Sequence, residues 1–311
     1  MDLSALPPLA ALRQSIVRSI EETGGRHDEP EIYSASPGDP GLTGGPTSMS
    51  WQLHGDMASV LLAGLGAVIM EVLHPSVIAG VDSGTYRTQP ERRARNTLGY
   101  VLRTTFGTTE AATHLIEQVK RIHSRVEGTR PDGVPYRALD PELIAWVHTS
   151  IPWSIMTAYE RTNRPLSTLE KDQYLTEQAL IGRMGGAEWV PETVAELESY
   201  VEDMRPRLAV NAQTREFLDF LCGDVSVEPL SRAVRFDARQ NVALSMALQP
   251  RWAQRMTGTE RPALDRRLRL GPLLRVDAAA LRWAIPEPTC KRLALARVAA
   301  ATDEATTPAA A

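Results

Sequence analysis

Residues 57–75 read MASVLLAGLGAVIMEVLHP, and what this stretch forms decides the fold. It shows no period-two alternation, and its uncharged run is 14 residues long before Glu71 interrupts it, against roughly 20 for a helix that spans a bilayer. A segment apolar on nearly every side is a helix enclosed by other helices. The reading is a buried central helix from about Leu53 to Leu73 and no membrane span.

Outward from it the chain reads as helix after helix. HPSVIAGVDSGTY (74–86) breaks the pattern with Pro75, Gly80 and Gly84. Thr88-Gln89-Pro90-Glu91 then has the form of a capping box, opening a helix that runs to about Thr105. The next helix starts near Thr109 and stops at Gly128. Asp140-Pro141-Glu142 starts another, which Pro152 is expected to bend. Ser167 and Glu170 form a second capping box, and helical patterns follow at about 191–222, 227–249 and 275–299. Alternation is confined to short pieces such as DVSVEPL (224–230). With no internal repeat, this predicts an all-α protein: a single multi-helix domain over residues 51–300, an irregular N-terminal arm over 1–50, and a disordered tail over 301–311. The arm begins with a short amphipathic helix and continues into SASPGDPGLTGGPTS (34–48), a composition that disfavours regular structure.

Composition excludes several functions. A chain of 311 residues with 43% hydrophobic residues buries a substantial core, and a formal charge of −4 gives no positive field for nucleic acid. Cys222 and Cys290 are far apart and make neither a metal motif nor a disulfide framework. The start, MDLSALPPLAALRQSIVRSI, has prolines and charges where a secretory leader needs an unbroken apolar core, so a cytoplasmic protein is expected. No Walker loop, GxSxG, HExxH or GxGxxG stands in a usable context.

Two histidines fall inside apolar helical stripes. On the helix from Thr109 the stripe is Ala112, Leu115, Ile116, Val119, Ile122 and Val126, and His123 lies four after Val119 with its imidazole expected to point inward. One reading is a core histidine bonded to a main-chain carbonyl; the other is a ligand to a metal or to haem iron. His148, in LIAWVHTSI, repeats the pattern and is the rival. His74, before Pro75, suits a helix cap, and His27, His54 and His114 sit in or beside polar surroundings. Arg93, Thr97, Tyr100, Val101 and Thr104 share one helix face bordered by Asn96, either as a solvated face or as a cation and hydroxyl aimed into the core. A di-iron bundle needs two Glu-x-x-His motifs; Glu71–His74 is one and a second is missing.

From Trp51 to about Leu221 the chain resembles the haem-dependent oxygenase family of the latex-clearing proteins (rubber oxygenases) and the oxygenase that cleaves a terpenoid side chain in mycophenolic acid biosynthesis. The resemblance lies in an order of features: His74-Pro75, the IAGV stretch, Tyr86, Arg93 with Thr97, His123 before V-x-G, the WVH segment with Tyr159 and Glu160, and PLS-x-x-E. It implies a b-type haem among helices, with His123 as proximal axial ligand and so the metal-binding residue. It also implies that Arg93 and Thr97 lie beside the haem, bonding bound oxygen or a propionate. Latex-clearing proteins place a distal lysine where this chain has Asn96, so rubber cleavage is not the expectation.

The expected function is that of a haem b oxygenase or peroxygenase. It would use dioxygen or peroxide on a small, largely apolar substrate, in secondary metabolism, with Arg93, Thr97 and Asn96 as catalytic candidates. His123, Arg93, His148, Leu65 and Ile69 would hold the cofactor, with Leu62 also on the pocket wall. Two alternatives stand beside it: a non-catalytic binder of haem or another hydrophobic ligand, and a non-haem iron enzyme using His123, His148 and Glu71 or His74.

Overall fold

In the computed structural model, residues 29–222, 242–263 and 266–306 are described, with Arg13, Gln14 and Val17 before them. The expected N-terminal amphipathic helix, the DVSVEPL piece, most of the 227–249 pattern, His27 and residues 307–311 lie outside the described residues. What is described is an all-α domain with one small hairpin. In order it comprises α1 (Glu31–Ser34), α2 (Met49–Gly55), α3 (Met57–Glu71), α4 (Pro75–Asp82), α5 (Pro90–Phe106), α6 (Thr109–His123), β1 (Glu127–Thr129), β2 (Pro135–Arg137), α7 (Pro141–Thr162) and α8 (Thr168–Gly185). It continues with α9 (Val194–Met204), α10 (Ala212–Cys222), a helical segment over 242–248, α11 (Arg251–Thr257), α12 (Gly271–Ala284) and α13 (Thr289–Thr306). The last helix is therefore described past residue 300, where the tail was expected to begin.

The apolar stretch is the centre of the bundle, as its sequence requires. Helix α3 packs most extensively on α7, while α8 covers the other side of α7 and α12 closes over both α3 and α7. Leu53, Leu62, Ile155, Tyr159, Tyr174 and Leu244 form the heart of the largest core cluster. The expected helix from Leu53 to Leu73 is in fact two, α2 and α3, bent by 88° at the joint. Asp56 sits at that joint, and its carboxylate is held by the Arg282 guanidinium at 2.6 and 2.9 Å. No single helix among the described residues is long and apolar enough to cross a membrane.

Several boundaries differ from the sequence reading for local reasons. Residues 75–82 form α4 rather than a break, because Pro75 at the first turn needs no donor and the His74 ring nitrogen Nδ1 accepts from Ser76 N–H at 3.2 Å. The Thr88 capping box does not form: Thr88 is turned back onto Thr85, Gln89 is the cap, and Glu91 falls one position short of the reciprocal bond. The helix from Thr109 ends at His123, not Gly128, because the chain then enters the antiparallel pair Glu127–Thr129 and Pro135–Arg137. The 191–222 pattern splits at Pro206 and the 275–299 pattern at Pro286 and Pro288, each a point where a helical donor is missing.

The Ser167 box forms as expected: Glu170 N–H donates to Ser167 Oγ at 3.3 Å and Ser167 N–H donates to Glu170 Oε2 at 2.8 Å. Gly186, in the left-handed region at φ 117°, ends the same helix. Replacing Ser167 by alanine is expected to lower unfolding free energy by about 1 kcal/mol, read as a shift in the urea midpoint with unchanged slope.

Candidate functional site

Four helices meet around the two histidines. Helix α5 is buried only at its C-terminal end, through Val101, Leu102, Thr104, Thr105 and Phe106. All seven residues from Glu91 to Thr97 are exposed, so the first two turns stand clear of the core on every side. Arg93, Asn96 and Thr97 lie on these turns. The Arg93 guanidinium folds toward the α4–α5 turn, where a Cβ built on Gly84 would lie 3.2 Å from its Nη1. The Thr97 hydroxyl donates to Arg93 O at 3.1 Å, and Asn96 is exposed.

His123 is the last residue of α6, half-buried rather than sunk in a stripe. Of the expected stripe only Ala112 and Ile116 are buried, and Ile122 is 56% exposed, because the final turn projects past the core. Neither ring nitrogen of His123 has a hydrogen-bond partner among the described residues. Burial, and then the positive charge of Arg93, hold its pKa below the usual histidine range, so the ring is neutral at pH 7. His148 on α7 is neutral as well, pushed down to about 4 by burial and then by His123. Its ring meets Tyr100 edge-on at 6.0 Å, and it too has no hydrogen-bond partner among the described residues. Glycines on α8 make room for it: a Cβ at Gly185 would lie 3.0 Å from His148 Nε2, and one at Gly182 would lie 3.1 Å from His148 Cβ.

Glu71 is the residue that sequence reasoning undervalued. Burial raises its carboxyl to about 7, with Arg93 working in the opposite direction. The signal was present as the one charge in an otherwise apolar helix. Arg93 therefore acts on both Glu71 and His123, and His123 acts on His148, which places these four side chains in one neighbourhood.

The central helix presents a less buried strip to solvent: Leu61, Gly64, Leu65, Val68 and Glu71, spaced at three and four residues. A Cβ on Gly64 would meet nothing within 4 Å, and neither would one on Gly99 of α5. Of the proposed pocket walls, Leu65 borders this strip. Leu62 lies in the largest core cluster, and Ile69 is 1% exposed in a cluster with Leu218, Val242 and Met246 on which Leu65 also packs. Two cavities lie away from this strip: a water-sized void of about 10 Å³ beside Gly66 and Met70, and a groove of about 540 Å³ at Trp252. Gly64 and Gly99 border neither of these cavities, and the space beside each of them is open.

These features fit a haem. There are two neutral imidazoles without protein partners, a guanidinium for an anionic edge, and apolar walls with glycines where a flat group needs close approach. A three-ligand metal set is not assembled among the described residues, so His123, His148 and Glu71 or His74 do not converge as a non-haem iron site. His74 acts as the cap described above. His54 is 1% exposed and fully engaged, with Nδ1 at 2.6 Å from Thr105 Oγ1 and Nε2 at 2.8 Å from the Tyr174 hydroxyl. His114 is exposed.

The chain is similar to uncharacterized protein Mb2261 of Mycobacterium bovis and uncharacterized protein Rv2237 of Mycobacterium tuberculosis, each 29% identical over 159 residues. Those matches cover 49% of this chain and 62% of the relatives' own length. No solved structure matches it. Residues 51–284 match the family described as "ER-bound oxygenase mpaB/B'/Rubber oxygenase, catalytic domain". By that match over most of its length, the chain belongs to the mpaB/rubber oxygenase catalytic-domain family, a family of oxidoreductases.

Proposed function

We propose that the protein is a cytoplasmic haem b-dependent oxygenase or peroxygenase that oxidises a small, largely apolar molecule of secondary metabolism with dioxygen or peroxide. The observation that carries this reading is His123: a neutral imidazole at a helix end, bonded to no described residue and beside Arg93; the less buried strip of α3 and the space at Gly64 and Gly99 would form the groove that receives the flat ring. His123 would hold the iron. His148 is the second imidazole of the groove and Tyr100 fixes its ring. Arg93 supplies a fixed positive charge and several donors at the mouth, suited to a propionate or to a polar substrate group. Thr97 can exchange its bond to Arg93 O for one to a ligand, and Asn96 offers an amide to the same space.

Leu61, Leu65 and Val68 give an apolar chain a surface to lie on, and Glu71 keeps a proton in that surface near neutral pH. Haem b, when bound, supplies the activation of oxygen that no side chain here provides. Iron and porphyrin analysis of the purified, haemin-reconstituted protein tests the reading. Equal amounts of each are expected, and iron without porphyrin would overturn it.

A further inference from the structure

Four of the six tryptophans, Trp146, Trp153, Trp189 and Trp252, gather around Tyr200 of α9. Three of them line a cluster that also holds Met70, Met204 and Met256, an unusual concentration of oxidisable side chains in a chain with 5% aromatic residues.

Within this cluster runs an ordered path. Trp146 is fully buried, and its indole N–H donates to Met70 O at 3.2 Å and to Glu71 O at 3.3 Å, which ties it to the main chain at the end of α3. Its ring centroid is 6.3 Å from that of Tyr200, and Tyr200 is 5.6 Å from Trp189. Trp189 is 48% exposed. Packing alone explains contacts between aromatic rings. It does not explain why the outermost indole is left half in water, or why the buried Tyr200 hydroxyl has no hydrogen-bond partner among the described residues.

We propose that Trp146, Tyr200 and Trp189 form an electron relay that carries oxidising equivalents from the groove to the surface when peroxide reacts without substrate. The proposal rests on the haem reading. In each event one electron passes from Trp189 through Tyr200 and Trp146 to the oxidised site, and the indole N–H proton of Trp189 goes to water. Two such events, with two protons, reduce one hydrogen peroxide to two waters, or one organic hydroperoxide to an alcohol and water. A hydrogen atom from an external thiol restores Trp189 each time, and the thiyl radicals pair as a disulfide. Tyr200 has no acceptor for its proton, so it serves as a bridge and not as a resting place. The oxidised state settles where water can take the proton.

The test uses the haemin-reconstituted full chain, treated with hydrogen peroxide without substrate. It is followed by freeze-quench electron paramagnetic resonance and by mass spectrometry of oxidised tryptophans. The wild type is expected to give a tryptophan radical and oxidation concentrated at Trp189. Trp189→Phe, a surface change, is expected to lose that radical, to shift oxidation to Trp146 and Met70, and to bleach the haem several-fold faster. Tyr200→Leu should suppress Trp189 oxidation while leaving Trp189 in place. Equal oxidation of Trp189 in Tyr200→Leu and wild type, or an unmodified Trp189 in a peroxide-consuming wild type, would overturn the relay alone. Failure to retain haem would overturn the cofactor reading and the relay with it.

Discussion

Acidification from pH 7 to pH 5 destabilises the cofactor-free protein, and replacing His54 by leucine removes much of that dependence. His54 is buried between Thr105 and Tyr174, and burial holds its pKa at about 3 against an ordinary 6.5. In the unfolded chain it takes up a proton near pH 6.5; in the folded chain it does not. The sign follows: the folded pKa is depressed, so its contribution is complete above 6.5 and is lost progressively as pH falls toward 3. One such group gives a slope of about 1.4 kcal/mol per pH unit in that window. His148, held down at about 4, acts in the same sense, and His74 and His123 are shifted in the same direction. Glu71 opposes them. Its folded pKa is raised from 4.5 to about 7, so it favours the folded state at low pH and that contribution disappears as pH rises through this range. Near pH 5.5 the histidines outnumber the carboxyl. Urea unfolding at stepped pH is expected to show stability rising with pH, a His54→Leu slope flatter by about one proton, and a Glu71→Gln slope steeper by about one. A pH-independent wild type would refute the assignment of buried neutral imidazoles.

Arg297→Met is expected to cost about 3 kcal/mol or more and to loosen residues 33–39 from the bundle. Arg297 is 2% exposed and donates only to main-chain oxygens: Asp39 O and Tyr33 O at 2.8 Å, Phe106 O at 2.9 Å and Gly107 O at 3.3 Å. It thereby joins α13, the segment after α1 and the end of α5, and Gly38 N–H returns a bond to Arg297 O at 2.8 Å. Packing at this junction is tight: Gly41, at φ +75°, would place a Cβ 2.6 Å from Gly107 O. Methionine matches the stem of the side chain and leaves four carbonyls without their donor. Lysine keeps the charge but lacks the planar fork, so it should recover only part of the loss. Denaturant unfolding gives the free energies, and amide exchange over residues 33–39 reports the loosening. A loss below about 1 kcal/mol would mean that the guanidinium acts like a surface group.

The helical class was legible because the central stretch is too long and too evenly apolar for a strand and too short for a bilayer. The same evenness hid which face it turns to solvent. With apolar residues all round, no periodicity separates Leu62 and Ile69 from Leu61, Gly64 and Val68, and the choice is made by neighbours distant in sequence. Capping boxes were legible where nothing competed, as at Ser167. At Thr88 a one-residue shift, set by Pro90, undid the pattern.

His123 stood out as a polar ring in an apolar pattern. That it ends its helix depends on the hairpin at Glu127–Arg137, whose pairing has only a weak local signature. Glu71 was visible as a lone charge, but its raised proton affinity comes from burial by helices far along the chain. His54 gave no sign of its environment either, because Thr105 and Tyr174 reach it from α5 and α8.

Haemin reconstitution, gel filtration and an absorption spectrum of the wild type beside His123→Ala, with matched far-ultraviolet circular dichroism, test the central claim most directly. A Soret band that stays with the wild type and is weakened by about tenfold or more in the variant is the expected result. Equal retention of haem by the two proteins, or a wild type that holds none, would contradict it.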